Sequence, residues 1–435
     1  VMLTVDSVGG TAVSIAALVV VIVTTVVAQR VPAVVVAAPV ALVLIALGLT
    51  DVADAADEVL RMAPTIGFLA AMLVIADACA RGGVFTWIGS VLAAWSRSSP
   101  HRLLRIVFVA AALTTAVLSL DTTIVLLTPV AVATARRIGA RVTPVAFSSA
   151  HLANTASTLM PVSNLTNLLA FSATGLSFLG FTGVMLAPWI AAIVVEYLIF
   201  RWYFARSLAG TVAPSSPTAS PAAGTDSDTG EPHRPTFMLV ALGVLLLAFV
   251  VTEPLGIPLV AVAAVGAVVF TLPSLLDAPL TALRSTVRSV NLPFLGFVAT
   301  LGVVILPVRD GPLGEWIAGL IPAEPTLLGL LVVAALAAVL ANLVNNLPAT
   351  LLLIPLVAHE PGLVLAMLLG VNIGPNLAYF GSLANLLWRD IMHRDGSEEG
   401  RGSPTSREYL RLGALTVPAT LGVAVLALWA GLQLT

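Results

Sequence analysis

The feature that most constrains this chain is a set of eight long apolar runs with almost no charge in them. They fall at residues 11–28, 31–49, 63–80 and 181–203, then at 237–251, 257–275, 292–307 and 412–432; only 63–80 (Asp77) and 181–203 (Glu196, Arg201) contain a charged residue. A helix rises about 1.5 Å per residue, so runs of this length match a hydrocarbon core about 30 Å thick. Composition agrees: 59% of the 435 residues are hydrophobic and 10% charged, too few charges to cover a water-soluble protein of this size. The fold class read from these runs is an all-α polytopic membrane protein.

Several kinds of chemistry are excluded by residue type. All 20 basic residues are arginine, so there is no lysine for a phosphate-binding loop, a Schiff base or an amine nucleophile. The single cysteine, Cys79, allows neither a disulfide framework nor an all-cysteine metal site, and is read as a packing residue. No HExxH or GxSxG motif occurs and the five histidines are scattered, so neither a metal centre nor an intramembrane hydrolase is expected. The chain is not expected to be an enzyme or to hold a cofactor. A net charge of −2 gives no reason to expect a nucleic-acid partner. The first residues lack a basic region, so no cleaved signal peptide is expected.

Residues 210–235, rich in Pro, Ser, Thr, Ala and Gly, read as a disordered cytoplasmic linker. It divides the chain into a first transmembrane repeat, 1–209, and a second, 236–435. A shorter polar stretch, 389–407, reads as a cytoplasmic loop. Within each half one long apolar arm is followed by a short one: 103–120 then 122–135, and 327–343 then 349–358. The short arms do not reach across the hydrocarbon, so both pairs read as re-entrant hairpins with polar tips at Ser119-Leu120-Asp121-Thr122 and Asn345-Asn346-Leu347-Pro348. After each hairpin comes a long apolar segment interrupted by small and polar residues, NTASTLMPVSNLTNLL (154–169) and NIGPNLAYFGSLANLL (372–387). Aligned at an offset of 218 they match at six of 16 positions, including Asn154 with Asn372 and Asn167 with Asn385. These read as two broken helices of an internal repeat.

The arginines give the orientation. With the N-terminus outside, each half contributes three spans, a hairpin, a broken span and one more span. Every arginine except Arg61 and Arg309 then lies on the cytoplasmic side, as the positive-inside rule requires. The expected architecture is an inverted repeat of about ten transmembrane helices, two opposed hairpins and two broken helices, with both termini outside. Residues 85–95 read as an interfacial amphipathic helix.

Inverted repeats with broken helices are the mark of alternating-access transporters, whose binding site lies where the breaks meet. The candidate substrate-binding residues are Ser119, Asp121, Thr122 and Thr123 of the first hairpin and Ser163, Asn164 and Asn167 of the first break. From the second half come Asn345, Asn346 and Thr350 of the hairpin and Gly381, Ser382 and Asn385 of the break. They offer amides, hydroxyls and one carboxylate, with no arginine, which suits a small neutral polyhydroxylated solute or an inorganic ion. Asp121 is the sharpest candidate, because an intramembrane carboxylate is costly and by default functional; it is the expected proton carrier. His151, on the first broken helix, is a weaker proton-coupling candidate. Glu196 is expected to pair with Arg201, and Asp77 to be a helix-end residue beside Arg81.

At these residues the chain resembles the arsenite/antimonite efflux permeases of the ion transporter superfamily. VSNLTNLL (162–169), NNLPATLL (345–352) and GSLANLLW (381–388) carry the resemblance, with GGVFTWIGS (82–90) ahead of the first hairpin. One departure is at the first hairpin tip, which usually reads Asn-Asp-Gly in those permeases and here is Leu120-Asp121-Thr122. The resemblance implies export of trivalent arsenic or antimony hydroxides through a bacterial cytoplasmic membrane. It further implies that export is driven by the proton gradient or by a separate cytoplasmic ATPase subunit. The same superfamily includes sodium/proton antiporters and divalent-anion/sodium symporters, so those cargoes remain the alternative.

Overall fold

The computed structural model describes residues 4–28, 31–209, 234–398 and 405–434. Apart from Arg234 and Pro235, the expected linker lies outside the described residues. Among those residues every regular element is a helix. The first half runs α1 (Val8–Val27), α2 (Val34–Ala46), α3 (Val52–Arg81) and α4 (Val84–Ser96). Next, α5 (Pro100–Val117) turns at Leu118 and Ser119 into α6 (Leu120–Thr122), which leads through a π-helical stretch, Thr123–Leu127, into α7 (Thr128–Arg137). α8 (Val142–Thr155) unwinds through 3-10 turns at Ala156–Thr158 and Pro161–Ser163 before α9 (Leu165–Phe171); α10 (Phe178–Tyr203) and α11 (Ala205–Ala209) follow.

The second half contains α12 (Thr236–Thr252), α13 (Leu259–Asp277), α14 (Pro279–Ser289), α15 (Leu292–Arg309) and α16 (Pro312–Ala318). It continues with α17 (Leu327–Val344) and α18 (Asn346–Val357), joined at Asn345, and with α19 (Pro361–Ile373). α19 unwinds through Gly374–Leu377 and Tyr379–Gly381 into α20 (Leu383–Glu398), and α21 (Ser406–Leu432) ends the chain. Both expected hairpins and both expected breaks are therefore present. The expected loop at 389–407 is helical as far as Glu398, and 399–404 lies outside the described residues.

Nine helices among the described residues are long and apolar enough to cross a membrane. The run 31–49 is the shortfall: α2 has 13 residues, about 20 Å. Its chain turns at Gly48, where φ is 78°, and it carries Pro39 inside, so a run that is apolar throughout still ends early as a helix. α4 forms where the amphipathic segment was expected, burying Phe85 and Leu92 while Trp95 faces outward.

Burial follows the hydropathy pattern. α12 and α13 expose apolar faces, among them Val240, Val244, Leu247, Val265 and Val268, as helices in contact with lipid do. α8 and α19 are buried on every side; α19 is apolar nearly all round, as a fully buried helix is, whereas α8 also buries Ser148, Ser149, His151, Asn154 and Thr155. Small residues let α19 come close to α17: a Cβ on Gly370 would lie 2.3 Å from the Ala334 carbonyl oxygen and 2.6 Å from the Ala337 Cβ. Gly370→Val is therefore expected to cost about 3 kcal/mol, at the upper end of overpacking penalties, because the obstacle is backbone that cannot rotate away. Thermal unfolding of the purified variant in detergent measures this; an unchanged midpoint would contradict the packing.

The two arginines that break the charge bias share one partner. Glu58, 5% exposed, pairs with Arg61 on its own helix and with Arg309 at the end of α15, 3.5 Å away. At the other end of α3, Asp77 pairs with Arg81 and accepts a hydrogen bond from Ser289 Oγ of α14 at 2.5 Å.

Candidate functional site

The polar residues of the two breaks bond mainly to each other. Asn372 of α19 accepts from Asn164 Nδ2 (2.8 Å) and Thr166 Oγ1 (2.7 Å) and donates to Asn167 Oδ1 (2.7 Å). Asn154 of α8 donates to Asn385 Oδ1 (2.7 Å) and Asn376 Oδ1 (2.9 Å). Under the 218-residue offset, the bond Asn372 to Asn167 becomes Asn154 to Asn385, with the halves exchanged. The rest of the geometry repeats too. Asn167 Nδ2 donates to the carbonyls of Ser157 and Met160, and Asn385 Nδ2 to those of Pro375 and Ala378, each pair again 218 apart. The backbone is extended at Met160 and Asn164 and likewise at Ala378 and Ser382. One asparagine per half, Asn167 and Asn385, thus satisfies two carbonyls freed by unwinding, which would otherwise be orphaned in a dry core.

Each break or hairpin tip ends in a side chain that caps the next helix. Ser119 Oγ accepts from Thr122 N, Asn164 Oδ1 from Thr166 N, Asn345 Oδ1 from Leu347 N and Ser382 Oγ from Asn385 N. Ser119 and Asn345 reach this geometry with φ of 146° and 75°, the left-handed side of the map, which L-residues adopt only when surroundings hold them there. The hairpins are tied to their own breaks: Ser163 Oγ donates to the Ala116 carbonyl (2.5 Å) and Asn345 Nδ2 to the Phe380 carbonyl (3.1 Å).

The four capped ends meet at one small cavity of about 60 Å3, measured as the space open to the centres of water-sized molecules. Its polar lining is Ser119, Asp121, Asn164, Asn346 and Ser382, one or more residues from each of the four segments singled out in the sequence. Helix N-termini present partial positive charge and backbone N–H groups, which attract electron-rich oxygens. Asp121 is the one formally charged residue in the lining and forms no hydrogen bond or ion pair among the described residues. The Asn346 side-chain amide is likewise without a partner among them, although the residue is only 5% exposed. The lining contains no arginine.

The remaining expected residues surround the cavity without lining it. Thr122 meets Ser119 Oγ at 3.0 Å, Thr123 meets Thr115 Oγ1 at 2.7 Å, and Thr350 donates to the Asn346 carbonyl. Ser163, Asn167, Asn345 and Asn385 hold the breaks as described, and Gly381 sits where a Cβ would come 2.7 Å from the Pro375 Cα. Sequence reasoning missed the apolar wall: Phe68, Met72 and Leu73 of α3 and Phe294 of α15. Nothing in a uniformly apolar span marks which face meets a cavity.

His151 does not line the cavity. Its Nδ1 lies 2.9 Å from Glu196 Oε1 of α10, and both side chains are fully buried. This corrects the expected Glu196–Arg201 pair: Arg201 is exposed, whereas Glu196 turns inward across to α8. The sequence signal was an acid in mid-span, and the partner 45 residues away was not legible.

Comparison with known proteins places this geometry. The profile of the CitMHS citrate transporters matches residues 10–391. The chain belongs to the citrate transporter family. It is thus a multi-pass membrane transporter and not an enzyme. It is also similar to the arsenical pump membrane protein of Escherichia coli K12, 27% identical over 392 residues, which is 85% of this chain and 87% of that protein. The arsenical pump membrane protein of Yersinia enterocolitica is 27% identical over 387 residues, 84% of this chain and 86% of that protein. An uncharacterised transporter of Mycobacterium tuberculosis is 25% identical over 385 residues, 84% and 85% of the two chains.

Proposed function

We propose that the protein exports trivalent arsenic and antimony hydroxides from the cytoplasm by alternating access, with protons moving the other way. The observation that carries this reading is the cavity lining: hydroxyls, a free amide and one free carboxylate at four helix N-termini, without arginine. A neutral trihydroxide can donate to Asp121 and accept from Asn346 and the hydroxyls. A polycarboxylate such as the family description names would face the Asp121 charge with no cation to offset it, which opposes binding in a low-dielectric site. The arsenical pump proteins at 27% identity point to the same cargo.

On this reading the halves are inverted repeats spanning a bacterial cytoplasmic membrane, divided by the 210–235 linker, with both termini outside. The exchange of hydrogen bonds under the 218-residue offset supports the repeat, and the arginine distribution supports the orientation. Asp121 carries the proton: metalloid and proton compete for it, so each release to one side requires uptake of the other.

Uptake of radiolabelled antimonite into inside-out proteoliposomes with an acid interior tests the cargo. Accumulation that is unchanged when sodium is replaced by choline, with no uptake of labelled citrate, is the expected outcome. Flux that requires sodium, or citrate movement alone, would overturn it in favour of a sodium-coupled relative.

A further inference from the structure

Behind the asparagine clamp, the His151–Glu196 pair has no role in the cavity chemistry, and its surroundings point to one. Both residues are 0% exposed, and each keeps one polar atom, His151 Nε2 and Glu196 Oε2, without a partner. Around them Phe200 packs edge-on against the imidazole at 5.2 Å and Tyr409 of α21 lies at 5.3 Å; the Tyr409 hydroxyl is also buried and unpartnered. The titratable groups facing the pair are Tyr409 and, tilted against it with ring centroids 4.3 Å apart, Tyr379, over which Arg389 sits at 6.0 Å. Among the described residues no arginine forms an ion pair with Glu196.

A carboxylate and an imidazole sharing one proton are neutral together wherever that proton sits. Gaining or losing a proton leaves an uncompensated charge in a dry site, which is strongly unfavourable. Exchange at this pair therefore depends on whether water reaches it. The pair is also tied to the second break. His151 is in α8, its carbonyl accepts from Asn376 Nδ2 (3.0 Å), and Asn154, nearly one turn further on, bonds to Asn376 and Asn385 of the other half. A change of charge between α8 and α10 is thus felt directly at the bonds that hold the two breaks together.

We infer that His151 and Glu196 form a second proton-binding site, separate from Asp121, that links protonation to the packing of the two breaks. This rests on the proton-coupled transport reading for its use, but the proton site itself is testable without cargo. Infrared difference spectra of the purified protein in lipid vesicles, taken across a pH titration without arsenite or antimonite, read the C=O stretch of a protonated carboxyl. A band is expected that persists in Asp121→Asn, disappears in Glu196→Gln and is altered in His151→Gln, which removes the partner of Glu196. If Glu196→Gln and His151→Gln both give wild-type spectra, the proton site is disproved. In the flux assay, each variant is expected to lose one limb of the pH–rate curve, and the double variant to behave like either single one. An unchanged curve would overturn the link to transport even where the band is present. Absence of metalloid flux in wild type with the band intact would instead count against the cargo alone.

Discussion

Asp121→Asn is expected to abolish uphill transport while leaving the fold and downhill exchange in place. The carboxylate has no partner among the described residues, so the isosteric amide breaks no protein contact. What it removes is the group that exchanges a proton for the cargo. A gradient of about two pH units stores about 2.7 kcal/mol per proton, enough for roughly hundredfold accumulation at one proton per metalloid. The wild type is expected to approach that ratio in inside-out vesicles. The variant is expected to level off near equal concentrations inside and out, while labelled antimonite still exchanges for unlabelled at a rate within about tenfold of wild type, a modest barrier change on the rate scale. Accumulation by the variant equal to that of wild type would remove Asp121 as the proton carrier.

The second large effect concerns stability, and it separates residues that hold the breaks from residues free to hold a ligand. Asn372→Ala deletes the acceptor of Asn164 and Thr166 and the donor to Asn167, all buried. Orphaning buried polar groups costs about 1–3 kcal/mol each, so a loss of roughly 3–6 kcal/mol is expected, offset in part by the bond Asn164 retains with Ser157. Asn346→Ala removes an amide that no described residue uses. It is expected to change stability by less than about 1 kcal/mol, as a substitution that orphans nothing does. Affinity for the cargo is nevertheless expected to fall by about tenfold, the value of one hydrogen bond to a ligand. Thermal unfolding in detergent beside antimonite binding to the same preparations distinguishes the two. The same unfolding midpoint for both variants would contradict the assignment of Asn372 to the scaffold.

That contrast also shows how far the sequence alone could be read. The hairpins, the breaks and the 218-residue offset were legible because Ser, Asn, Pro and Gly cluster where the backbone leaves the helix and its groups need other partners. The convergence of the four segments followed from topology. Which polar residue does what did not follow: Asn164 and Asn346 look alike in sequence, yet one bonds three ways within the protein and the other has no described partner. Caps and ligands use the same side chains, and only the distances separate them. Phe68, Met72 and Phe294 were hidden for a different reason, since lipid-facing and cavity-facing apolar residues obey one pattern within a membrane. The His151–Glu196 contact joins two helices whose mutual rotation no local signal specifies.

Simultaneous recording of antimonite uptake and lumenal pH in one preparation of acid-interior, inside-out proteoliposomes tests the central claim most directly. The claim predicts that in wild type each increment of metalloid entering is matched by alkalinisation of the lumen. Asn346→Ala should slow both together, and Asp121→Asn should leave neither uphill uptake nor alkalinisation. Antimonite accumulation with no change in lumenal pH in wild type, or both variants indistinguishable from it, would contradict the claim that this cavity carries cargo and proton in exchange.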